Sequence, residues 1–146
     1  MRVVVDTNVL ISGLISALGP PAIVVDGWIE GTFEVALSPP IITEYLGVFL
    51  RPKFDGTGPF EARRETIEQL IALPNTVVVV PEARSLRVSE DPSDDRFLEC
   101  AKSAHADLII SGDEHLLALD IFEGTPIVNP RRFVEILYAK SSPSGV

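Results

Sequence analysis

Carboxylates recur in this 146-residue sequence at places where a chain turns from one element into the next. Asp6 follows the apolar run RVVV, Asp113 follows DLIISG, and Asp91, Asp94 and Asp95 crowd the segment EDPSDDRFLECA. One such acid taken alone has a bland role open to it, since an aspartate before a helix accepts hydrogen bonds from the first free N–H groups. Two acids at two strand ends, with more acids at a helix start, make a cluster whose mutual repulsion calls for a bound cation. The formal charge of −9 repels nucleic acid and anionic membranes when taken as a total. A divalent cation held by gathered carboxylates reverses the local sign, so position counts for more than the sum.

The elements that must position these acids are legible from periodicity. Residues 2–5 read as a short buried strand that delivers Asp6 to its tip, and 8–16 carry apolar residues at helical spacing. Pro20 and Pro21 suit a helix start, and Gly31 suits the left-handed position that ends it. A second strand is expected over 33–37, followed by Ser38 as an N-cap, Pro39 at the first helical position and an apolar stripe of Ile41, Ile42, Tyr45, Leu46 and Phe49. Glu44 sits at the edge of that stripe. A turn-rich RPKFDGTG leads to an amphipathic helix in PFEARRETIEQLIAL, whose charges read as a solvated face. TVVVV is a third strand, 81–90 an irregular surface linker, and the acidic segment starts a helix near Asp94. The strand DLIIS then brings Asp113 to a tip. A short strand PIV and a helix over 130–139 follow. Alternation of strands and helices predicts an α/β fold with a mostly parallel sheet covered on both faces, and ligands in such sheets sit beyond the carboxyl ends of the strands where strand order reverses.

The length predicts one domain, over 1–139, with a polar tail, 140–146, expected to be disordered. No apolar run approaches a membrane span, and the first aspartate comes too early for a secretory leader, so the expected location is cytoplasmic. Cys100, flanked by Phe97, Leu98 and Ala101, reads as a buried small hydrophobe. His105 is expected at a helix end against the core and His115 on an exposed turn. Two basic groups, Arg51, Lys53, Arg63 and Arg64, and Arg84, Arg87 and Arg96, either track phosphates or are solvated surface charge.

Three segments, VVVDTNVLISGL, LSPPIITEYLGVFLRPKF and DPSDDRFLECAKSAHADLIISGD, together resemble the PIN domain, in particular the VapC-like branch of toxin nucleases from toxin–antitoxin pairs. The ordered set covers nearly the whole chain from Arg2 to Phe133. The resemblance implies a three-layer α/β/α sandwich and a metal-dependent ribonuclease site of four acids. Carried over by motif, these are Asp6 in DTN, Glu44 in ITEYL, one of Asp94 and Asp95, and Asp113 in SGD. At about 100° per residue, Asp94 lines up with Leu98, Ala101 and His105 while Asp95 points to the side. Asp94 is therefore the expected inner ligand and Asp95 an outer one, with Asp91 left to a turn or cap.

Mg²⁺ or Mn²⁺ would suit such a set, because both prefer hard oxygen donors and keep open positions for a phosphate. Thr7, Asn8 and Ser111 are candidates to orient a carboxylate, or else simple helix caps. The resemblance further implies an RNA substrate, a small antitoxin partner and a homodimer. Three alternatives remain beside the toxin nuclease: a stand-alone RNA-processing nuclease, an aspartate-based phosphotransferase, and a PIN-like binding module without activity. A dehalogenase-type phosphotransferase would want a second acid where Asn8 stands.

Overall fold

Valine builds the first strand. In the computed structural model, which describes residues 1–81 and 95–141, Val3, Val4 and Val5 of β1 (Arg2–Val5) are wholly buried. Both faces of β1 are covered, which is why its sequence runs apolar without alternation. The chain continues through α1 (Thr7–Ile15), α2 (Pro20–Glu30), β2 (Glu34–Leu37), α3 (Pro39–Phe49), a 3₁₀ turn (Pro52–Thr57), α4 (Phe60–Ile71) and β3 (Thr76–Val78). Beyond residue 94 come α5 (Asp95–Ala104), β4 (Leu108–Ile110), α6 (Glu114–Leu119), β5 (Ile121–Phe122), β6 (Thr125–Val128) and α7 (Pro130–Ser141).

The six strands form one sheet in the order β3-β2-β1-β4-β6-β5, parallel except for β5. Helices cover both sides, giving the expected α/β/α arrangement. From β1 the chain builds outward through β2 and β3 on one side, then returns to lay β4 against the other flank of β1. Strand order therefore reverses between β1 and β4, where Val5 pairs with Ile110. Asp6 and Ser111 each follow directly on those two residues.

Close approach between α1 and α2 depends on Gly13. A Cβ there would stand 2.4 Å from the carbonyl oxygen of Pro21, a backbone atom that cannot swing aside. Gly31 ends α2 at φ 78 and ψ 23, the left-handed conformation its type was expected to supply. Asn75 then ties the layers together, its Nδ2 donating to the carbonyls of Trp28 and Phe33, both at 2.8 Å.

Several details depart from the sequence reading. Ser38 holds the N-cap position of α3, but its side chain makes no capping bond. Arg63 is neither a phosphate tracker nor part of a solvated face. Its guanidinium is 3% exposed and donates to the carbonyls of Phe49 at 2.6 Å, Arg51 at 3.2 Å and Gly58 at 3.0 Å, with Asp55 at 2.7 Å. The end of α3 and the 3₁₀ turn that follows it bring these carbonyls to α4. Arg64 is engaged with Glu61 and Glu68 of its own helix. The sequence reading gave no helix to 114–119 and no strand to Ile121–Phe122, which pairs with β6 as an antiparallel hairpin. His105 is exposed and takes a positive φ of 52, so it ends α5 without facing the core. Cys100 is buried as expected. α7 continues two residues beyond the expected end, through Lys140 and Ser141. The linker expected over 81–90 lies outside the described residues from 82 onward, as do 142–146 of the expected tail. No single described helix is long and apolar enough to cross a membrane.

Candidate active site at the carboxyl edge of the sheet

Asp6 resolves the question of cap or site. Its backbone serves as the N-cap of α1, with its carbonyl accepting from Val9 N at 3.1 Å and Leu10 N at 3.2 Å. Its side chain makes no capping bond. Instead Oδ2 accepts from the hydroxyl of Ser111 at 2.6 Å, across the reversal from β1 to β4. The residue is 5% exposed and Ser111 is fully buried. A carboxylate taken from water to this degree is held where its charge can be used only if donors or a cation offset it.

Ser111 has a second task. Its Oγ accepts from the backbone N–H of Asp113 at 2.9 Å, so one hydroxyl fixes both the first acid and the loop that carries the last. Asp113 does cap: its Oδ1 accepts from His115 N at 2.7 Å and Leu116 N at 3.1 Å, starting α6. One oxygen of Asp113 is thereby oriented by the helix. The alternatives weighed for these acids divide, with the cap realised at Asp113 and not at the side chain of Asp6.

Glu44 reaches the same edge from α3. Oε2 accepts from the hydroxyl of the buried Thr7, and Oε1 faces Nη1 of Arg96 at 3.0 Å. Thr7 thus orients Glu44 and not Asp6. The next residue, Tyr45, was legible only as a core position. It is fully enclosed, and its phenol donates to the carbonyl of Val5, one residue before Asp6, at 2.5 Å. Burial pushes the Tyr45 phenol well above its ordinary value of 10.0, and nearby Cys100, Asp6 and Glu44 push it the same way. It remains a neutral donor. The signal for this bond was present in the sequence, because a tyrosine on a buried stripe has to find an acceptor.

At the start of α5 the expected inner ligand, Asp94, lies outside the described residues. Asp95 is the first residue of the helix and is 5% exposed, although helical spacing sets it away from the stripe of Phe97, Leu98, Cys100, Ala101 and Ala104. Asp95 is therefore enclosed and does not point out to the side, contrary to the expectation from helical spacing. Of the four acids carried over by motif, Asp6 and Asp113 are joined through Ser111, and Glu44 is joined to the first turn of α1 through Thr7. Among the described residues no group of three His, Cys, Asp or Glu is placed to hold a metal ion.

The chemistry of the donors at this edge nonetheless suits a hard divalent cation. The side chains carried to this edge, the carboxylates of Asp6, Glu44 and Asp113 and the hydroxyls of Thr7 and Ser111, all offer oxygen, although the described acids do not converge on one point. The guanidinium of Arg96 already supplies Glu44 with positive charge. Oxygen-only sites select Mg²⁺, Mn²⁺ or Ca²⁺ over the softer transition metals.

A parallel sheet between helices, with Asp6 and Asp113 following the two strands at which strand order reverses, is the α/β/α arrangement that binds ligands at its carboxyl edge. The chain belongs to the PIN domain family, whose profile matches residues 2–115 and so takes in Asp6, Glu44 and Asp113. It is also similar to the uncharacterized protein MJ1680 of Methanocaldococcus jannaschii, with 32% identity over 119 residues that cover 82% of this chain and 75% of the relative. PIN domains are generally nucleases, hydrolases of nucleic-acid backbones, and the phosphotransferase alternative gives way to that class.

Proposed function

We propose that this chain is a metal-dependent endoribonuclease that hydrolyses RNA phosphodiester bonds with Mg²⁺ or Mn²⁺, and that it serves in the cytoplasm as the toxin of a toxin–antitoxin pair. The observation that carries the reading is the side chain of Asp6. It stands at the strand-order reversal, declines the helix cap its backbone offers, and is instead held by Ser111. Glu44 and Asp113 are tied to the same edge by Thr7 and Ser111, and the fourth acid is Asp94, with Asp95 beside it.

In this reading Asp6, Glu44, Asp94 and Asp113 hold the cation, which when bound polarises the phosphodiester and lowers the pKa of an attacking water. Ser111 and Thr7 orient the carboxylates of Asp6 and Glu44. Asp113 is oriented by α6, leaving its second oxygen for the ion. Tyr45 anchors the end of β1 and so sets where Asp6 emerges. A small antitoxin keeps the enzyme silent, and the working form is a homodimer.

The test is incubation of purified, partner-free chain with end-labelled RNA, and with DNA of the same sequence, in Mg²⁺, Mn²⁺ or EDTA. The reading expects RNA to be cut to 5′-phosphate and 3′-hydroxyl ends in either metal, with no cutting in EDTA or by Asp6→Asn. Cleavage that continues in EDTA overturns the metal mechanism, and a preference for DNA overturns the substrate.

A further inference from the structure

Three strands end at one level on the carboxyl edge. The backbone N–H of Asp6 donates to the carbonyl of Ile110, and that of Ser111 to the carbonyl of Val128, both at 2.9 Å. Asn129, the residue after Val128, therefore stands beside Ser111 as Ser111 stands beside Asp6. With neighbouring strands about 4.8 Å apart, Asn129 lies roughly 10 Å from Asp6. Asn129 also starts α7: its Oδ1 accepts from Arg132 N at 2.8 Å and its carbonyl from Phe133 N at 3.0 Å. These N–H groups of the first turn are thus already taken. What the turn presents outward is a pair of guanidiniums, on the exposed residues Arg131 and Arg132.

The two arginines are poorly placed for the helix itself. A cation in the first turn opposes the positive end of the macrodipole, and α7 has no acid there to offset it. Arg132 reaches Glu135 at 3.3 Å, an exposed pair of little strength. The Arg131 guanidinium has no ion pair or hydrogen bond among the described residues. Side chains of a helix lean toward its N-terminus, so both guanidiniums lean toward the edge that carries Asp6, Ser111 and Asp113. Arg96, at the same edge, is already paired with Glu44. Phe133, next in the chain, is fully buried and meets the ring of Phe33 edge-on at 5.2 Å, which fixes the turn as a rigid platform.

We propose that Arg131, assisted by Arg132, binds a backbone phosphate of the RNA strand beside the one that is cut, and so lays the strand across the β4 and β6 side of the edge. A guanidinium meets phosphate oxygens through two parallel N–H bonds, and a chain of net charge −9 needs such a local cation for RNA to approach. The family profile matches residues 2–115, so this contact lies in the part of the chain beyond the match.

The inference rests on the RNA-cleaving reading of the edge, and the experiment separates the two. Fluorescent single-stranded RNA is titrated with the full chain in Mg²⁺ at several salt concentrations, in an Asp6→Asn background where no cutting is expected, and followed by anisotropy. Adding Arg131→Gln should weaken binding about five- to tenfold, the scale of one charged hydrogen-bonding contact. The slope of log Kd against log salt should shrink by about 0.7, one phosphate contact on a single strand. Arg131→Lys should keep the slope, because the charge stays. Lys140→Gln removes a positive charge at the far end of α7 and controls for net charge alone; its effect should stay below about twofold. Arg131→Gln should melt at the parent temperature or slightly above it, since the macrodipole is no longer opposed. RNA binding by Arg131→Gln that equals the background, or falls no further than in Lys140→Gln, overturns the proposal and leaves the nuclease reading standing. A melting temperature several degrees lower assigns the arginine to the fold and overturns it too. Cleavage of the same RNA by the parent chain tests the reading beneath: a parent that leaves RNA intact, or cuts only DNA of the same sequence, overturns both.

Discussion

Replacement of Ser111 by alanine removes the one hydroxyl that joins both strand tips. Ser111 is fully buried and Asp6 is 5% exposed, so water cannot easily take over the lost bonds. The bond from Ser111 Oγ to Asp6 Oδ2, at 2.6 Å, goes to a charged acceptor and contributes about 1.5–3 kcal/mol. The N–H of Asp113, now 2.9 Å from the same oxygen, loses its acceptor, at a cost of about 1 kcal/mol. The predicted loss of stability for Ser111→Ala is therefore about 2.5–4 kcal/mol. Urea unfolding reads this directly: with a slope of about 2 kcal/mol per molar for a domain of this size, the midpoint should fall by about 1–2 M. Cleavage measured well below the transition should fall about 10- to 100-fold, the usual effect of removing a residue that orients a metal-binding carboxylate. A midpoint within about 0.3 M of the parent, with cleavage unchanged, would refute the idea that this hydroxyl fixes the acids.

Three further outcomes are expected. Burial pushes the Cys100 thiol from 9.0 to about 12. The unfolded chain thus sheds this proton near 9 while the folded chain keeps it, and the associated stability, fully present below about 9, declines as pH rises toward about 12. Unfolding at pH near 8 and near 10.5 should show the parent losing about 1–2 kcal/mol more than Cys100→Ala, and parallel losses would contradict it. Arg63→Gln should destabilise by about 2–4 kcal/mol, because the carbonyls of Phe49 and Gly58 and the carboxylate of Asp55 lose their donor, yet leave RNA affinity unchanged at low temperature; a thermal melt and a binding isotherm check the two halves. Asp113→Asn should keep the α6 cap through its remaining carbonyl oxygen while weakening Mn²⁺ binding, whereas Asp113→Ala loses about 1 kcal/mol of stability as well. Equal melting temperatures for the two variants would show that the cap contributes nothing.

The strand tips were legible because valine and isoleucine runs in parallel strands carry their own punctuation: RVVV and DLII end at Asp6 and at the Ser111–Asp113 turn, and the right-handed crossover logic of such sheets places both at one edge. Ser111 was also legible as a hydroxyl near an acid. The helix register at α5 was harder, since spacing alone assigns the inward face by the stripe, yet Asp95, set to the side by that rule, is buried. Arg63 was misread for a related reason. Its burial depends on the end of α3 and the 3₁₀ turn bringing carbonyls to α4, and local periodicity carries no trace of that contact. The pairing of Arg96 with Glu44 joins residues 52 positions apart on two helices, and the bond from Tyr45 to Val5 spans 40; both follow from tertiary packing. The β5–β6 hairpin was missed because two residues, Ile121 and Phe122, are too few to show an alternating pattern.

The central claim, that Asp6, Glu44, Asp94 and Asp113 share a catalytic cation, is tested most directly by a crystal of the chain soaked in Mn²⁺ and measured for anomalous scattering. The expected result is a peak at the carboxyl edge between β1 and β4, with carboxylate oxygens of Asp6, Glu44, Asp94 and Asp113 at about 2.0–2.3 Å or one water away. A crystal without a peak at that edge, or a peak that persists there in Asp6→Asn with unchanged occupancy, would contradict it.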